Sequence, residues 1–235
     1  MTPNMPVVYL PGVDGTGRLL YRQERLNAEF AVRCVSYPQD DTHTYSDLVN
    51  LGIRALEETG PGVLLAESFG GAIALMVALE RPDLVRRLVL VNTFARYPRR
   101  FFIDVAGLVG PWLPRKPSHP ATRSLRGFFF FGPSIPKDEQ DAWWDRTADV
   151  PMRAYGHRMR LLRDLDLLPR LGEVQTPAVV FTSPNDWVVP APAGRLLARR
   201  LPRAKLLPPI SAGHAAMIDP RVDVAAWLTD ERLWK

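Results

Sequence analysis

The chain has 235 residues, 46% of them hydrophobic and 23% charged, a composition that excludes disordered and fibrous classes and allows one large domain with a sizeable core. Its single cysteine, Cys34, excludes an internal disulfide and a cysteine-based metal site; within the apolar stretch 31–37 it reads as a buried packing residue. The net charge of +5 comes from arginines scattered through amphipathic segments without an aromatic-basic module, so no nucleic-acid partner is expected.

Residues 1–6 lack a basic region followed by an apolar core, and no run reaches the roughly 18 apolar residues of a membrane span. A soluble, cytoplasmic protein without a stable membrane anchor is expected. Pro6–Leu10 is a β-branched apolar run that stops at Pro11-Gly12-Val13-Asp14-Gly15-Thr16-Gly17, predicting a buried strand that enters a glycine-rich loop. The glycines lack the G-x-G-x-x-G order of a dinucleotide site, and no Gly-Lys-Ser/Thr follows. The remaining use of such a loop is to aim a backbone N–H at an oxyanion. A helix is predicted over 18–30, a strand over 31–37, a helix over 45–58 and a strand over 63–67. A helix over 70–79, stopped by Pro82, and a strand over 88–92 follow. These nearly continuous apolar strands alternating with helices predict an α/β fold with a mostly parallel sheet covered on both faces.

The alternation stops near Phe94. Residues 94–170 carry repeated prolines, aromatic clusters and helical periodicity, and read as a helical cap inserted after the fourth strand, with 1–93 and 171–235 forming the core. The cap holds 14 Lys and Arg against 8 Asp and Glu, so the whole positive excess lies there. A strand is predicted at 177–182, a helix at 191–200, a strand at 205–207 and a closing helix at 220–228, with Asp219 as its N-cap and Pro220 at N1.

Ser68 ends the third strand among small residues, with Ala66 and Gly70 two positions away on either side, the spacing of a nucleophile elbow. A serine nucleophile needs a base and an acid that orients it. Asp186 and His214 stand on loops after the next strands, in the chain order Ser, Asp, His expected of an open α/β sheet. In this reading Ser68 attacks an acyl carbonyl, His214 is the general base and Asp186 holds the imidazole. No metal or cofactor is required.

Over essentially its full length the chain resembles the α/β-hydrolase fold superfamily. Leu10–Gly17 together with Glu67-Ser68-Phe69-Gly70-Gly71 is similar to the esterase/lipase domain of plant phytyl ester synthase-like proteins, whose second, acyltransferase domain is not expected here. The resemblance implies ester hydrolysis, with the backbone N–H groups of Phe69 and Val13 as oxyanion donors. A carboxylesterase for short to medium acyl chains is expected, its acyl pocket lined by cap aromatics including Trp112, Phe128 and Trp143, and by Trp187. Alternatives are an esterase or thioesterase acting on acyl carrier protein or coenzyme A substrates, with Arg153, Arg158, Arg160 and Arg163 meeting the carrier, and an acyltransferase. A carbon–carbon bond hydrolase and a non-catalytic ligand-binding protein complete them.

Overall fold

A computed structural model describes residues 5–98 and 127–235. Six strands form one wholly parallel sheet in the order β2-β1-β3-β4-β5-β6, namely β1 Val7–Leu10, β2 Val32–Cys34, β3 Gly62–Glu67, β4 Val85–Val91, β5 Ala178–Phe181 and β6 Ala204–Leu206. Parallel strands need crossovers, and here these are α1 (Glu24–Glu29), α2 (Tyr45–Thr59), α3 (Phe69–Glu80) and α6 (Ala191–Arg200), with α7 (Val224–Thr229) near the C-terminus. Between β4 and β5 the described residues carry α4 (Lys137–Asp145) and α5 (Met152–Leu161).

The two-residue period of the strands divides the core. Val8, Leu10, Leu64, Ala66, Leu88, Leu90 and Val180 join the cluster that includes α2 and α3 residues. Their neighbours Val7, Tyr9, Val63, Leu65, Val89, Val91 and Phe181 pack on the opposite face with Leu26, Ala225 and Leu228. Because both faces are covered, the central strands are apolar at successive positions. A smaller cluster of Leu19, Phe131, Ile135, Trp143, Trp144, Ala215 and Ile218 joins α4 to the loops above the sheet.

Four local expectations are corrected. The first helix is only Glu24–Glu29, because residues 19–22 form a turn in which Gln23 N–H donates to the Leu20 carbonyl at 2.9 Å and consecutive Leu19 and Leu20 serve separate clusters. The second strand is three residues long and lies at the sheet edge, which leaves Cys34 exposed instead of buried. The closing helix starts at Val224. Its N-cap is Asp223, which accepts from Ala226 N–H, while Asp219 turns back to accept from Arg221 and from Ser134 Oγ. No described helix is long and apolar enough to cross a membrane.

Candidate active site

The elbow is built by strain and close approach. Ser68, between β3 and α3, adopts φ 50° and ψ −120°, a conformation that costs a non-glycine residue free energy and persists only where its surroundings enforce it. Ser68 N–H donates to the Val91 carbonyl at 3.0 Å, and the Ser68 carbonyl accepts from Thr93 Oγ1 at 2.5 Å. A Cβ at Gly70 would lie 2.3 Å from the Leu10 carbonyl oxygen, and one at Gly71 2.1 Å from Thr93 Oγ1. Side chains at either position would push α3 off the strand ends.

The loops after β5 and β6 bring Asp186 and His214 together. His214 Nδ1 lies 2.8 Å from Asp186 Oδ2, while Asp186 Oδ1 accepts from the Val188 and Val189 N–H groups, both at 2.8 Å. An ionised carboxylate only accepts, so Nδ1 carries the hydrogen and Nε2 is left as the basic nitrogen. Burial lowers the His214 pKa, but the neighbouring Asp186 charge and hydrogen bond, with Glu67 behind them, outweigh it and the net shift is upward.

Ser68 and His214 line one cleft with Gly12, Val13, Asp14, Leu19, Glu67, Phe130, Trp143, Tyr155 and Ala215. Gly12–Gly15 is a tight turn closed by Gly15 N–H donating to the Gly12 carbonyl at 3.1 Å. Among the described residues, nothing accepts from the Val13 or Phe69 N–H. Two carboxyls share this corner. Asp14 is held by the Thr16 N–H and hydroxyl at 2.9 and 2.6 Å, and Glu67 beside it is pushed up to about 7 by burial and then by the Asp14 charge. The Tyr9 hydroxyl approaches Glu67 without reaching full hydrogen-bond geometry.

Of the side chains expected to bind substrate, Trp143 lines the cleft and Trp112 lies outside the described residues. Phe128 and Trp187, 60% and 45% exposed, are not among the cleft residues and pack on each other with ring centroids 5.6 Å apart. Phe130, Leu19 and Tyr155 take the places beside Trp143 instead. Phe130 follows Phe128 by two residues at the end of a helical turn, where neighbouring side chains diverge. Arg153, Arg160 and Arg163 are exposed, but Arg158 is wholly buried and unavailable to a carrier.

Sequence reasoning missed the polar ties behind the site. Asn92, at φ 46°, donates Nδ2 to the carbonyls of Gly213 at 2.8 Å and His214 at 3.1 Å, and its Oδ1 accepts from Ser183 N–H at 2.9 Å. Ser183 Oγ accepts from Ala212 and Gly213 N–H at 2.9 and 3.1 Å. The only sequence signal for these residues is that each closes an apolar strand with a polar side chain. No set of three or more His, Cys, Asp or Glu among the described residues is arranged to hold a metal ion.

A six-stranded parallel sheet flanked by helices, with a strained serine after its third strand and an Asp–His pair after its fifth and sixth, is the architecture of the α/β-hydrolase fold. A family model for the alpha/beta hydrolase family matches residues 7–227, and the chain belongs to that family. It is 24% identical over 241 residues to the "Putative carbamate hydrolase RutD" of Klebsiella pneumoniae (strain 342), covering 92% of this chain and 87% of that one. It is 38% identical over 101 residues to Phytyl ester synthase 2, chloroplastic, of Arabidopsis thaliana, covering 38% of this chain and 14% of that protein. The enol-lactonase from Burkholderia xenovorans LB400 superposes with a TM-score of 0.80 at 18% identity, over 98% of this chain and 91% of its own.

Proposed function

We propose that the protein is a serine hydrolase that cleaves carboxylic esters of short to medium acyl chains through an acyl-enzyme. The observation that carries this reading is the 2.8 Å contact of His214 Nδ1 with a buried, doubly capped Asp186, in the cleft that also holds Ser68. Ser68 Oγ attacks the acyl carbonyl and His214 Nε2 takes its proton. Asp186 stabilises the imidazolium that forms. The Phe69 and Val13 N–H groups donate to the tetrahedral oxyanion, in a cleft where water screens them poorly. His214 then protonates the leaving alcohol, and in the second half it activates the water that releases the acid.

The two relatives named above are a carbamate hydrolase and a phytyl ester synthase, so each name concerns a compound with an acyl carbon bonded to oxygen or nitrogen, which suits this chemistry. The carbamate hydrolase relative, matched over most of its length, favours a second reading in which the acyl group is a carbamoyl group. A kinetic profile on p-nitrophenyl esters of increasing acyl length, with an aryl carbamate alongside, separates the two. Turnover peaking at short or medium esters and absent from Ser68→Ala supports the ester reading; preference for the carbamate supports the second. Wild-type turnover that survives in Ser68→Ala overturns both.

A further inference from the structure

Helix α5 turns two adjacent side chains toward the loops that follow β1 and β2. His157 Nε2 lies 2.6 Å from the carbonyl of His43, and Arg158 reaches deeper, with none of its surface exposed. Arg158 Nε donates to the Val13 carbonyl at 2.7 Å, Nη2 to the Asp14 carbonyl at 3.0 Å and Nη1 to the Pro38 carbonyl at 2.8 Å. One guanidinium therefore joins the cap, the loop after β2 and the turn beside Ser68.

Burying a guanidinium is expensive, and a loop carbonyl can ordinarily be satisfied by water, so this arrangement calls for a reason beyond satisfying acceptors. Val13 and Asp14 are the two central residues of the Gly12–Gly15 turn, and their carbonyls are the ones the guanidinium takes. The turn's first carbonyl, that of Gly12, is held by Gly15 N–H. In a trans peptide the N–H points opposite to the carbonyl of the preceding residue, so the two carbonyls held by Arg158 fix the planes that carry the Asp14 and Gly15 N–H groups; Gly15 N–H in turn holds the Gly12 carbonyl, whose plane carries the Val13 N–H, so Arg158 reaches the Val13 N–H through Gly15. The planar fork of arginine suits this task, because its donors have fixed relative directions. Gly15, whose φ of 69° already favours glycine, is compatible with this: a Cβ there would sit 3.0 Å from Arg158 Cζ and 3.1 Å from Tyr37 Cβ, so its absence leaves room for both groups against the turn.

We propose that Arg158 is the positioning residue of the oxyanion turn, through which the docked cap helix sets the direction of the Val13 N–H. This rests on the hydrolytic reading above, since only there does the Val13 N–H have an oxyanion to meet. Arg158 touches no reacting atom; it acts through the turn.

The test combines turnover with a readout that needs none. Arg158→Ala and Arg158→Lys are compared with wild type by hydrogen exchange over residues 10–16, and by kcat and KM on a p-nitrophenyl ester. In Arg158→Ala, exchange at 10–16 rises about tenfold while β5 is unchanged, since the loss is local. Its kcat falls about 10- to 100-fold with KM nearly constant, less than the roughly 10²–10³ expected for removing an oxyanion donor outright. Added methylguanidinium restores part of the turnover of Arg158→Ala and none is gained by wild type. Lysine, with one compact ammonium, does not substitute. If Arg158→Ala does not fold, Arg158→Lys carries the comparison. Unchanged exchange at 10–16, or a rise spread evenly over the chain, overturns the proposal. Turnover retained by Ser68→Ala overturns the hydrolytic reading instead and leaves the exchange result standing.

Discussion

The Asp186 carboxylate faces His214 with one oxygen and two backbone N–H groups with the other, so its orientation is set before any substrate arrives. Asp186→Asn keeps the size but replaces an acceptor-only group with an amide, whose NH2 can turn toward His214 and favour the wrong tautomer. If the proposed mechanism holds, the expected result is a loss of kcat of about 10⁴ with folding retained, as for amide replacement in known Ser-His-Asp triads. Circular dichroism beside steady-state kinetics checks it.

Glu67 makes activity and stability depend on pH in one window. In the proposed mechanism His214 acts as base and must be neutral, so kcat/KM is expected to fall as pH drops through a pKa lying above the ordinary histidine value of 6.5. Above about 7 the Glu67 carboxyl ionises close to Gly12, Asp14 and Ser68 and opposes a developing oxyanion. Between 4.5 and about 7 the folded protein holds a proton on Glu67 that the unfolded chain has released. This group's stabilising contribution is thus complete below 4.5 and is lost as pH rises through about 7, an effect of about 3 kcal/mol. Glu67→Gln is expected to remove the alkaline fall in kcat/KM and to flatten the pH dependence of denaturant midpoints.

Two glycines of the site differ in what a methyl group would meet. At Gly12 a Cβ finds ordinary contacts, 3.5 Å from Asp14 Oδ1 and 3.7 Å from Ser68 Cβ, in the cleft beside Ser68. Gly12→Ala should fold with little change in Tm and lose turnover. At Gly70 the same methyl meets the Leu10 and Pro11 carbonyl oxygens at 2.3 and 2.6 Å, so Gly70→Ala should destabilise by more than about 3 kcal/mol. Thermal unfolding of both variants, read against their activities, would contradict the site geometry if the order were reversed.

Asn92 ties the His214 loop to the Asp186 loop while sitting at positive φ. Asn92→Ala loses these hydrogen bonds, each worth about 1 kcal/mol, and adds about 1–2 kcal/mol of left-handed strain. Asn92→Gly relieves the strain alone. The alanine variant should therefore be less stable than the glycine variant, and both should show reduced kcat. Equal stability would mean that the backbone at 92 relaxes freely.

The parallel sheet was legible because strands buried on both faces read as apolar runs, and α6 forms over the predicted span of 191–200. Boundaries failed where tertiary contacts overrode local pattern: the apolar 31–37 run yields only three strand residues because it meets a neighbour on one side, and Asp223 displaces Asp219 as the cap because Arg221 and Ser134 occupy the latter. Phe128 and Trp187 illustrate the weakest inference, from aromatic character to a pocket wall. Composition says that such rings prefer burial, but the direction in which each faces depends on the packing of α4 and the loops around it.

By itself the sequence determined the parallel α/β order, the placing of Ser68 at a strand–helix junction, and the loops that carry Asp186 and His214, because these follow from local periodicity, glycine placement and chain order. Only the tertiary structure decided that Asp14 and Glu67 crowd one corner, that Asn92 links two loops, and that an arginine of α5 lies under the Gly12–Gly15 turn. Arg158 stands about 145 positions from Val13 in the chain. Helical periodicity can tell which face of α5 is buried, but the carbonyls that its guanidinium meets are set by how the chain closes on itself.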